Sequence, residues 1–216
     1  MSPQSLHRRY GAIAAQYGTG AWELGFPNEL DRLRRKTGSG IWIHGTDIDM
    51  TPFDTEGCVR FENEVIIYFQ QILNIKKTPV IINEELEWVD ISFLENEIEI
   101  VQSFIDGWLD NWRRQDIRGY LEFYSSDEFI SHRQRMNYTA WERHKRRLFI
   151  PDAHASIKLY DFNFYFADDL LLVSFLQEYA AGEINDFGRK QLVLRRNKVH
   201  NRNSTWKIIQ EEWRGL

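Results

Sequence analysis

From Glu95 onward the period of the apolar residues changes, and that change limits the possible fold more than any other feature. Val101, Phe104, Ile105, Trp108, Leu109 and Trp112 recur every three or four positions, which places them on one face of a long helix. A second helical run extends from Asp116 to about Tyr124 and a third from about Thr139 to Leu148. Four strand-like, aromatic-rich runs follow: Ser156–Phe166, Leu170–Ala180, Lys190–Arg196 and Thr205–Trp213. Three helices followed by an antiparallel meander predict an α+β domain spanning residues 95–216.

Residues 1–94 have a different texture. Gly and turn formers punctuate positions 11–39, so that segment reads as loop with short strands. Asn28 is placed to cap a short helix with Leu30 and Leu33 facing inward. The apolar run Ile41-Trp42-Ile43 ends at His44-Gly45, and a polar loop then returns to Gly57-Cys58-Val59-Arg60. Val65, Ile66, Phe69, Ile72 and Leu73 share one face of a predicted helix, which puts Cys58 just before a helix N-terminus, where a thiolate is favoured. Thr78-Pro-Val-Ile-Ile reads as a buried strand. The charge distribution also separates the halves: residues 1–95 carry 9 basic against 14 acidic side chains, and residues 96–216 carry 18 of each.

The net charge of −5 is mild and requires no nucleic-acid partner. The single cysteine excludes an internal disulfide framework and a Cys-based zinc site. Its thiol is either a small buried hydrophobe or a reactive group. Composition favours the first, while the neighbouring His-Gly and Gly-Cys-x-Arg favour the second. His132, His144 and His154 match no compact metal-ligand spacing. Arg143-His-Lys-Arg-Arg reads as a solvated helix face, or alternatively as a track for an anionic glycan or lipid surface. No window approaches the roughly 18 apolar residues of a membrane span, and the N-terminus lacks the apolar stretch of an export signal. Taken literally, such a chain is cytosolic.

Ile43-His44-Gly45-Thr46, together with Thr55-Glu56-Gly57-Cys58-Val59-Arg60, resembles the active-site signature of YkuD-type L,D-transpeptidases. Tyr17-Gly-Thr-Gly and the run through Gly38-Ser-Gly resemble the approach to that site, so the match covers roughly residues 10–75. Glu56 stands where the family usually has His. The family places further strands before this segment, so residues 1–94 read as the C-terminal part of a mostly-β catalytic domain. Residues 97–216 resemble the cone-shaped SnoaL-like, nuclear-transport-factor-like domains. The pairing is similar to L,D-carboxypeptidases that trim peptidoglycan stem peptides and help set helical cell shape.

What the resemblance implies is specific. Cys58 is the nucleophile toward the meso-diaminopimelate–D-Ala bond, and His44 is the base, oriented by the Gly45 carbonyl. The backbone N–H groups of Gly57 and Cys58 hold the oxyanion. Thr46 and Arg60 contact the stem peptide, with loop bracing as the alternative for Arg60. No cofactor or metal is implied. The partners are peptidoglycan stem peptides, joined by glycan or cell-shape partners at the C-terminal domain. The location is periplasmic. L,D-carboxypeptidase action is the expected outcome, with 3-3 cross-linking transpeptidation or an inert binding module as alternatives.

Overall fold

A computed structural model describes residues 16–51, 55–75, 77–85, 87–131, 134–149, 155–197 and 205–216. It divides in sequence at residues 86 and 87 into two compact units. The fold class is α+β, as the sequence implies.

In the first unit, β1 (Ala21–Glu23), β2 (Trp42–His44) and β3 (Val59–Arg60) form one small sheet in that order. β1 runs antiparallel to β2, whereas β3 lies parallel to β2 with Ile43 opposite Val59 and His44 opposite Arg60. Helix α1 (Glu29–Leu33) starts with a full capping box: the Asn28 side chain accepts from the Asp31 N–H, and the Asp31 carboxylate accepts from the Asn28 N–H. Each bond satisfies a donor that the first helical turn leaves without a partner. Helix α2 (Asn63–Ile72) buries Ile66 completely. Ile72, expected on the inward face, is 54% exposed.

The expected strand at Thr78–Ile82 is corrected. The described backbone there is irregular, with the Thr78 N–H closing a turn onto the Asn74 carbonyl, and Ile81 and Ile82 are each 66% exposed. A buried strand needs neighbours for its N–H and C=O groups, and no described strand borders this run.

The second unit follows the pattern read from its sequence. Helices α3 (Ile91–Arg113), α4 (Ile117–Glu122) and α5 (Tyr138–Leu148) accompany β6 (Ser156–Ala167), β7 (Leu170–Ala181), β8 (Ile184–Asn197) and β9 (Thr205–Gly215). These four strands form an antiparallel meander in chain order. A small ribbon of β4 (Ile130–Ser131) and β5 (Met136–Asn137) precedes α5. Helix α3 begins four residues before the expected Glu95. Its stripe Val101, Ile105, Trp108, Leu109 and Trp112 is buried with Leu171, Val173, Phe175, Leu192, Leu194 and Ile208 of the sheet. Asp116 and Asn137 cap α4 and α5 by accepting from the N–H groups of Gly119 and Ala140. Among the described residues, no helix is long and apolar enough to cross a membrane.

Candidate active site

The first unit gathers the residues singled out by their chemistry at the β2–β3 edge. His44 ends β2, buried, and its Nδ1 lies 2.6 Å from the Gly45 carbonyl oxygen. A carbonyl only accepts, so Nδ1–H donates and the ring is held in the tautomer that leaves Nε2 as a proton acceptor. Parallel pairing places Trp42, His44 and Arg60 on one face of the sheet, because side chains alternate along a strand and paired positions share a side. Cys58, half-buried, packs against the Ala21–Trp42 pair on that face. Tyr17 packs there too, with its ring centroid 5.5 Å from Trp42 and 5.1 Å edge-on to His44.

The turn that delivers the thiol is built from short-range bonds. Gly57 has φ +107°, a region L side chains rarely adopt. The Thr55 hydroxyl donates to the Cys58 carbonyl at 2.8 Å, and the Cys58 thiol lies 3.8 Å from the Gly40 carbonyl it donates to. Cys58 does not sit on the helix N-terminus, which corrects the expectation from sequence. Val59 and Arg60 pair with β2 and α2 begins only at Asn63, with Glu62 at the N-cap position, so a strand separates the thiol from the helix end. A helix end acts mainly within its first turn. Arg60 Nη2 donates to the Thr51 carbonyl at 3.4 Å. The Thr46 hydroxyl lies 3.3 Å from the Ile48 carbonyl and 3.2 Å from the Ile48 N–H, closing its own turn. Glu56 is exposed.

The second unit holds a charged cluster that sequence reading missed. Glu211 accepts from Lys190 Nζ at 2.7 Å and from Lys145 Nζ at 3.5 Å, and all three are buried. The Tyr124 hydroxyl donates to the same carboxylate, and Trp108 Nε1–H donates to Tyr124 at 3.1 Å. Lys145 Nζ stands 4.3 Å from the Trp141 ring centroid, and Lys190 Nζ 4.5 Å from that of Trp112. Burial pushes the Glu211 carboxyl up, but Lys145 and Lys190 outweigh it and hold the group at about 2. For Lys145 burial wins over Glu211, and its ammonium is pulled down to about 8. The opposite outcomes fit the geometry: two ammonium groups share one carboxylate, and the farther one is left under-compensated. Burial and the nearby Glu211 charge raise Tyr120 and Tyr124 well above the usual phenol range.

The basic run of α5 is therefore not uniformly a solvated face. Arg143, Arg146 and Arg147 are exposed while Lys145 turns inward. Of the three scattered histidines, His132 and His154 lie outside the described residues. No group of three or more His, Cys, Asp or Glu gathers among the described residues to hold a metal.

Two family profiles match the chain: the L,D-transpeptidase catalytic domain, called YkuD, over residues 5–82, and the Cds6 C-terminal NTF2-like domain over residues 100–212. The chain belongs to the YkuD-type L,D-transpeptidases that carry a Cds6-type NTF2-like domain. Among solved structures it is similar to Bd1075 of Bdellovibrio bacteriovorus, at 30% identity and a TM-score of 0.76 over 94% of this chain and 71% of that one. It is also similar to the helical cell shape determining protein Pgp2 of Campylobacter jejuni, at 26% identity and a TM-score of 0.71 over 92% of this chain and 69% of that one. No curated protein sequence matches it significantly.

Proposed function

We propose that this YkuD-type protein is a peptidoglycan-modifying cysteine enzyme acting on the meso-diaminopimelate–D-Ala bond of stem tetrapeptides, with water as the usual acceptor. The observation that carries the proposal is the 2.6 Å contact from His44 Nδ1 to the Gly45 carbonyl. It supports Nε2 as the base, on the face that also carries Cys58.

The steps follow from those positions. His44 Nε2 takes the Cys58 thiol proton, and the sulfur attacks the scissile carbonyl carbon. The Gly57 and Cys58 N–H groups steady the resulting oxyanion. As the C–N bond breaks, the imidazolium proton passes to the departing D-Ala amine and a thioester remains. Water then adds with His44 again as base, the C–S bond breaks, and the proton returns to sulfur. Arg60 anchors the stem-peptide carboxylate or braces the loop through Thr51, and Thr46 shapes the loop after the base. Glu56, a carboxylate where the family usually has His, favours hydrolysis over attack by an acceptor amine. The second unit, an NTF2-like domain, is the partner-binding part of this reading. This domain would position the glycan strand or its peptide. Such a role belongs in the periplasm, and the similarity to Pgp2 extends the proposal to cell shape.

Incubation with tetrapeptide muropeptides should release tripeptide and free D-Ala. Accumulation of 3-3 cross-linked dimers without tripeptide would assign the thioester to an acceptor amine, and no product of either kind would leave a binding module.

A further inference from the structure

Two glycines of the first unit are pressed against a single side chain. A Cβ on Gly18 would lie 2.1 Å from Asn63 Oδ1, and one on Gly45 2.3 Å from the same atom. The amide of Asn63, the first residue of α2, fills the notch between the 17–20 turn and the backbone that follows the base. Asn63 Oδ1 accepts from the Thr19 N–H at 2.9 Å and lies 3.3 Å from the Thr19 hydroxyl, while Asn63 Nδ2 donates to Asp47 Oδ1 at 2.7 Å. Those partners, an N–H on one side and a carboxylate on the other, fix which end of the amide is oxygen. The Gly45 N–H donates to the Gly20 carbonyl at 3.0 Å, so the same two segments are also joined directly. One side chain thus ties α2, the turn bearing Tyr17 and the peptide bearing the Gly45 carbonyl.

We propose that Asn63 is a positioning residue for the base: by locking the backbone of Gly45 against the 17–20 turn, it holds the carbonyl that fixes the His44 tautomer. The proposal rests on the catalytic assignment of His44 and Cys58. A small amide at this place does what neither Ala nor a longer side chain does, because the gap between Gly18 and Gly45 is one amide wide and has a donor on one wall and a carboxylate on the other. Without it Gly45 is held only through its N–H to Gly20, the peptide bearing its carbonyl loses the wall that fixes it, and the imidazole, with a less fixed acceptor for Nδ1, samples the tautomer that cannot take a thiol proton at Nε2.

The single cysteine makes this measurable without substrate, since iodoacetamide labelling reports Cys58 alone. The rate is followed against pH for the wild-type chain and for Asn63→Ala, Asn63→Ser, Gln70→Ala and His44→Ala. Gln70 is the control: its Nε2 donates to the Thr19 carbonyl at 3.2 Å from the same helix without touching Gly45. Asn63→Ala should slow labelling at neutral pH about tenfold, a fraction of what a general base supplies, and shift the profile toward that of His44→Ala. Asn63→Ser should fall between, which keeps the test decisive if the Ala variant fails to fold, and Gln70→Ala should follow wild type. A lowered melting temperature with an unchanged pH profile in both Asn63 variants would overturn the proposal, leaving Asn63 a purely structural tie. An equal shift in Gln70→Ala would overturn it too, because loop docking in general would then be responsible. If His44→Ala itself matches wild type, the catalytic assignment fails and the proposal falls with it. A shift in His44→Ala with none in the Asn63 variants overturns the proposal alone.

Discussion

Glu211 illustrates how a single residue can govern the pH response of a whole domain. Its carboxyl is held at about 2 against an ordinary 4.5. The depressed value means that the folded state binds the proton less readily than the unfolded chain. The stabilisation is therefore complete above about pH 4.5 and is lost as pH falls from 4.5 toward 2. Urea unfolding of the second unit should show that acid limb, and Glu211→Gln should flatten it while costing about 3–5 kcal/mol at pH 7, because two buried ammonium groups lose their counter-charge. An unchanged acid limb in the variant would refute this. In the sequence, Lys190 was the visible signal, since strand alternation sets it on the same face as Leu192 and Leu194. Glu211 was masked because the β8–β9 register shifts between Val193 and Leu194, which breaks simple alternation at Ile208 and Ile209. His44, Gly45, Gly57 and Cys58 were legible because their residue types are rare and closely spaced. Asn63 was not, since an Asn at a helix start has many ordinary uses, and Tyr17 was visible as part of the Tyr17-Gly-Thr-Gly approach to the site but not as a ring against His44.

At the scale of elements, strong periodicity was legible and isolated apolar runs were not. The α3 stripe and the four strands carried their own pattern, so their existence and order could be read and only their ends moved. β8 starts at Ile184 rather than Lys190, since Ile184 to Arg189 pair with Ala181 to Leu176 across the hairpin although they look polar. Thr78–Ile82 shows the converse. Three adjacent apolar side chains suggest burial, but five residues are too few to show a period, and a run without a pairing neighbour gains nothing from being extended. The site inherits this: the strand at Val59 exists because β2 offers an edge, and it moves the thiol off the helix end.

At the scale of the molecule, the two units differ in charge and in architecture. Residues 95–216 are expected to fold alone, since truncation there removes only Ile91–Leu94 from α3, and Ile91 and Phe93 are 73% and 54% exposed. A cooperative melt of that fragment checks it, and a non-cooperative one would place the boundary elsewhere. The decisive bond is the one that the first unit is proposed to make to its substrate. Mass spectrometry of the whole chain, quenched in acid during turnover of a tetrapeptide muropeptide and then digested, reads it directly. The expected species is a tripeptide acyl group in thioester linkage on the Cys58 peptide, lost in Cys58→Ala and strongly reduced in His44→Ala. D-Ala release undiminished in Cys58→Ala, with no acylated peptide, would contradict it.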